Sequence, residues 1–151
     1  MSISIEDKEI LWKEWSEIVS TKEDKIKLGQ KIFQRLFTIH PEYIKLFKRF
    51  ENMSSLDEII SSSAMKAHSL RFINSLNGVF ETLDTPEELG DMLKHVGSSH
   101  KLRNVTCNHF VATVPILNEV LAENLKSCKV KEMVKNILNI AAPIILEGCS
   151  E

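Results

Sequence analysis

Two histidines stand where their side chains must point into apolar surroundings. In the stretch MKAHSLRFINSLNGVF (residues 65–80), His68 lines up at helical spacing with Ile60, Ala64, Phe72 and Val79. In LGDMLKHVGSSH (residues 89–100), Leu89, Met92, Leu93 and Val96 form an apolar stripe that His100 continues, four residues beyond Val96. An imidazole turned inward costs free energy unless its ring nitrogens find partners. Taken singly, each is more often a hydrogen-bonded core or helix-end histidine. Two helices that both turn a histidine inward, with no acidic partner at matching positions, make that ordinary explanation less comfortable.

The chemistry open to such a pair is narrow. Structural zinc needs four ligands and catalytic zinc three, usually with a local pair such as H-E-x-x-H, and none of the five histidines forms one. A Cys–His catalytic pairing has no supporting local signature. Nucleophile elbows, phosphate loops and dinucleotide fingerprints are absent. A flat metal cofactor fits better: it needs one axial imidazole, a polar group on its other face, and apolar walls to exclude water.

The elements that would position these residues read as helices almost throughout. Five glycines and four prolines punctuate 151 residues, and no stretch shows strand alternation or a hairpin signal. Residues 5–20 carry Ile10, Leu11, Trp15 and Ile18 on one side. Thr21 is an N-cap candidate for a helix through Ile32, Phe33, Leu36 and Phe37. Pro41 suits the first turn of a short helix, and Ser55-Leu56-Asp57-Glu58 reads as a capping box opening one long helix through His68. Thr85-Pro86-Glu87-Glu88 repeats that logic ahead of the helix of His100. Two more helices are expected at about residues 106–126 and 129–147, with Pro115 and Pro143 kinking or interrupting them. The class is all-α, seven or eight helices in a single domain over residues 1–151.

Composition narrows the partners. A formal charge of −2 supplies no basic field for nucleic acid. Nothing approaches the roughly 18 consecutive apolar residues of a membrane span. The opening MSISIEDKEI is too polar for a signal peptide, and Ser2 in place of glycine removes an acylation signal. A soluble cytoplasmic protein is expected. Its three cysteines, Cys107, Cys128 and Cys149, are odd in number and far apart, which suggests reduced thiols. Cys149, near the end of the chain, is the candidate for an intermolecular disulfide on oxidation.

Together these residues resemble the globin family along essentially the whole chain. Trp15 matches the tryptophan of the first helix, and HPEYIKLFKRF is similar to the family's His-Pro…Phe…Phe corner. The resemblance puts Phe47 flat on a haem with Phe50 supporting the corner. KAHSLRF is similar to the distal segment, which makes His68 the group above the iron. SSHKLRNV is similar to the proximal segment, which makes His100 the iron ligand, Ser99 its neighbour, and Val96 and Val105 haem contacts. Phe47 and His68 lie 21 positions apart as the family requires. His68 and His100 lie 32 apart, similar to neuroglobin and cytoglobin.

The resemblance implies a globin fold around haem b, held non-covalently because C-x-x-C-H is absent. A neutral His100 needs an acceptor for its second ring N–H, either Ser99 or a carbonyl one turn earlier such as that of Val96. Phe33, Phe47 and Phe72 would wall the cofactor. Phe33 and Phe72 stand where smaller residues are usual, which crowds the distal side and favours His68 as a sixth ligand. Arg49 and Arg71, with Lys48, are candidates for the haem propionates, or equally a solvated charged face. The implied function is reversible binding of dioxygen and other diatomic gases. The alternatives are nitric oxide oxidation or nitrite reduction with an external reductase, and gas or redox sensing in trans. A monomer or weak homodimer is expected.

Overall fold

A computed structural model describes residues 3–150. Met1, Ser2 and Glu151, and with Ser2 the acylation reading, lie outside the described residues. Seven α-helices are present among them: α1 (Ile5–Ile18), α2 (Lys22–Ile39), α3 (Leu56–Ser61), α4 (Ser63–Glu81), α5 (Pro86–Lys101), α6 (Cys107–Asn124) and α7 (Cys128–Ser150). Two 3-10 segments, Pro41–Leu46 and Lys48–Phe50, form the corner after α2.

Local chemistry explains most helix boundaries. Ser4 and Thr21 cap α1 and α2 by accepting the N–H of Asp7 (3.1 Å) and Asp24 (3.0 Å). Ser55 accepts the N–H of Glu58 (3.1 Å), but the Glu58 carboxylate takes the N–H of Ser54 (2.9 Å) rather than that of Ser55. The helix so started is short. Ser62, in extended backbone, ends α3 and caps α4 by accepting the N–H of Met65 (3.2 Å), so the single long helix expected here is two. Thr85 takes the N-cap position of α5 ahead of Pro86 but makes no side-chain cap bond, since its hydroxyl donates to the Thr82 carbonyl (3.3 Å). Neither Pro115 nor Pro143 ends its helix.

One apolar cluster joins α1, α2, α4, α6 and α7 around Trp15, Ile32, Ile73, Phe80, Val120 and Val134. Trp15 packs edge-on to Phe80 at 4.9 Å and donates its indole N–H to Asn77 Oδ1 (2.5 Å), so its one polar atom is satisfied inside. A second cluster under the corner holds Phe33, Phe37, Phe50, Ile59 and Met65, and Phe72 packs against both.

The cysteine expectation fails. Cys107 and Cys149 form an intramolecular disulfide (Cα–Cα 5.8 Å), and Cys128 is free and exposed. The 42-residue separation concealed the pairing. Helices α6 and α7 run back on one another across the short Leu125–Ser127 turn, whose N–H groups at Lys126 and Ser127 are both accepted by Glu14 (3.1 Å each). The start of α6 therefore meets the end of α7.

Candidate functional site

His68 owes its position to a close crossing next to it in sequence. A Cβ built on Gly29 of α2 would overlap that of Ser69 and stand 2.8 Å from its Cα. Only glycine lets the two backbones approach this far. Ser69 is wholly buried, its hydroxyl donating to the Met65 sulfur (3.4 Å). With Ser69 fixed against α2, His68 is turned toward the corner. Its ring lies 4.9 Å from Phe33 and 5.1 Å from Phe47, and Phe33 meets Phe72 edge-on at 5.4 Å.

The four residues expected to share this place do so. Neither ring nitrogen of His68 has a hydrogen bond among the described residues. Its pKa is lowered to about 4, first by burial and then by the charges of Arg71, His100 and Arg103. At neutral pH His68 is therefore uncharged, with one N–H and one lone pair.

His100 is set by a tighter crossing, between α5 and α7. A Cβ on Gly97 would overlap the Ile145 carbonyl oxygen, and one on Gly148 would overlap that of Lys94. One turn beyond Gly97's neighbour Val96, His100 Nδ1 lies 2.7 Å from the Val96 carbonyl oxygen. A carbonyl only accepts, so Nδ1 carries a proton, and in the neutral ring the lone pair is on Nε2. Of the two acceptors expected, the Val96 carbonyl takes the bond, while Ser99 donates its hydroxyl to the same oxygen (3.2 Å). Phe110 of α6 stands edge-on to His100 at 5.4 Å. The His100 carbonyl accepts the N–H groups of Arg103 (2.9 Å) and Val105 (3.0 Å), and Asn104 takes the left-handed backbone this turn needs (φ 65°).

The donor set decides what could be held. Among the described residues no three or more His, Cys, Asp or Glu side chains gather to hold a metal ion. Two imidazoles from opposite helices, with His68 feeling the charge of His100, can retain a metal only if its remaining positions come from another group, as in a macrocycle. The walls agree. Phe47, Phe72, Val96, Val105 and Phe110 are half-buried, unlike the sealed clusters behind them. These residues fit haem.

Arg71 is exposed but acts on His68, and so does Arg103, which the sequence reading missed along with Phe110. Arg103 could have been found as the cation three residues past His100. Arg49 is exposed on the Lys48–Phe50 turn, has no ion pair among the described residues, and is not among the charges acting on His68.

The globin family model matches residues 30–145. The chain belongs to the globin family. Cytoglobin-2 of Danio rerio is 29% identical over 120 residues, which is 79% of this chain but 65% of that protein, so the chain spans just under two thirds of that relative's length. Cytoglobin-1 of Oryzias latipes is 26% identical over 129 residues, 85% of this chain and 71% of that one.

A Drosophila melanogaster globin shares the fold at a TM-score of 0.83, with 19% identity over 96% of this chain and 94% of that one. A structure described as a hexacoordinated heme protein from an anhydrobiotic tardigrade does so at 0.83, with 21% identity over 99% and 96%. Family membership implies haem as the cofactor of this globin. None of its described helices is long and apolar enough to cross a membrane.

Proposed function

We propose that this globin, as one domain, holds haem b non-covalently with His100 as the proximal iron ligand, and that it binds dioxygen and other diatomic gases reversibly. The observation that carries the reading is the Val96 bond to His100 Nδ1, which leaves the Nε2 lone pair free for iron. The haem iron supplies the position at which a gas is held. His68 has two uses there. Neutral at pH 7, it can donate its N–H to a gas ligand, a bond about twice as strong as a neutral one where the acceptor carries charge. It can also turn its lone pair inward as a sixth ligand when no gas is present.

Internal ligation is favoured because no group among the described residues competes for the His68 nitrogens, and because Phe33 and Phe72 offer water nothing to bond. The tardigrade fold neighbour is described as hexacoordinated, a precedent in this architecture. Phe47 and Phe72 would wall the cofactor with Val96 and Val105. Arg71 and Arg103, with Arg49, would face the propionates. The chain acts as a cytoplasmic monomer or weak homodimer, and any redox turnover draws on an external reductase.

Visible spectra of the ferrous protein test the reading. Sharp, split bands without gas that His68→Leu converts to one broad band are expected, as is loss of most haem in His100→Ala. Wild-type haem content and spectrum in His100→Ala would overturn the proximal assignment.

A further inference from the structure

The disulfide closes a ring around the end of α5. From His100 the chain runs through the turn at Arg103–Val105 to Cys107, the first residue of α6. The disulfide crosses to Cys149, whose backbone nitrogen and neighbour Gly148 lie directly against Gly97. Gly97 is three residues before His100. The last turn of α7 thus braces the helix of His100 from one side, and the bridge to Cys107 anchors that turn. The two residues differ in access: Cys149 is 5% exposed and Cys107 is half-buried. Both lie near the Leu146 carbonyl oxygen (3.7 Å for Cys107, 3.4 Å for Cys149), which can accept from either once it is a thiol.

We propose that the Cys107–Cys149 pair is a redox switch on the proximal helix, opened by a dithiol reductant of the thioredoxin class. A reductant thiolate attacks Sγ of Cys107, the less buried residue of the pair, forming a mixed disulfide while Cys149 leaves as thiolate and takes up a proton. The reductant's second thiol then displaces Cys107. Two electrons and two protons pass to the pair, and the reductant becomes the disulfide. Opening the ring removes the covalent anchor from the last turn of α7 and loosens residues 95–105. In a reducing compartment such a bond is transient and signals redox state rather than serving as a permanent staple. The consequence for iron rests on the proximal reading of His100; the loosening itself does not.

Hydrogen exchange measured by mass spectrometry on the purified haem-containing protein, with and without dithiothreitol, tests the switch. Titratable thiols should rise from one to three per chain. Exchange in residues 95–105 should quicken by roughly tenfold while α1 stays unchanged. Cys107→Ser, or Cys149→Ser if the first does not fold, should show the fast pattern without reductant. Three titratable thiols with unchanged exchange would overturn the proposal, and so would a pair that dithiothreitol fails to reduce in the folded protein. Failure of the proximal reading would show separately, as an unchanged haem spectrum in His100→Ala.

Discussion

Gly90→Ala and Gly97→Ala place the same methyl group on the same helix and should move stability in opposite directions. Around Gly90 a new Cβ meets nothing within 4 Å, so alanine only improves the helix and restricts the unfolded chain, a gain of about 0.4–1 kcal/mol. At Gly97 the Cβ would overlap the Ile145 carbonyl oxygen and stand 2.8 Å from Cys149 N and 3.1 Å from Gly148 C. All three are backbone atoms of α7, so no flexible side chain can yield. Ordinary contact begins at 3.4 Å, and the crossing must open by at least the difference. Overpacking of this kind costs about 1–3 kcal/mol, and rigid partners put Gly97 toward the upper end.

After subtracting the helix-propensity gain, Gly97→Ala should lose about 1–2 kcal/mol, and the two variants should differ by about 2–3 kcal/mol. At about 2–4 °C per kcal/mol for a chain of this length, that separates their melting temperatures by roughly 4–12 °C. Thermal unfolding at equal haem saturation measures it. Because Gly97 is less than one turn from His100, Gly97→Ala should also release haem faster to an acceptor globin. Equal melting temperatures for the two variants would refute the close crossing.

Further outcomes follow from the same geometry. His68 is uncharged in the fold down to about pH 4 but takes a proton near 6.5 when unfolded. The unfolded chain therefore binds more protons between these values. Stability of the haem-free protein should fall as pH drops from about 6.5 to about 4, by up to about 3 kcal/mol, and His68→Leu should flatten that slope in urea titrations. Gly29→Ala should shift α4 away from α2 and lower the melting temperature, since the Cβ it adds overlaps Ser69. Replacing all three cysteines by Ser should leave haem bound but lower stability by about 2–4 kcal/mol, whereas Cys128→Ser alone should change neither.

What could be seen in the sequence was whatever a single helix encodes. The inward register of His68 and His100 follows from 3.6-residue periodicity, whereas the meeting of Phe33 and Phe47 with His68, and of Phe72 with Phe33, was implied only by the resemblance to globins. The caps at Thr21 and Ser55 were legible because the donor lies three residues on. The break at Ser62 was not. Ser61, Ser62 and Ser63 are all polar and all tolerable on an exposed helix face, and only the extended backbone at Ser62 reveals the stop. Gly29, Gly97 and Gly148 look like weak helix positions until the partner helix is known. The disulfide is equally a property of the pairing between α6 and α7.

The two imidazoles are held by opposite means, and the difference bears on what each can do. His100 is fixed at both ends of its helix turn. Its Nδ1–H is committed to the Val96 carbonyl, and Gly97, between the two, is pinned to the backbone of α7. Backbone atoms make both restraints, so no change at the Val96 or Ile145 side chain removes them directly. His68 is placed only through Ser69 and by ring contacts, which orient a plane but do not hold a proton at a chosen nitrogen. An axial ligand must keep one lone pair aimed at one point, and the restraints on His100 suit that task. A group that alternates between donating to a gas and closing the same position must turn without breaking a hydrogen bond, and among the described residues His68 has none to break.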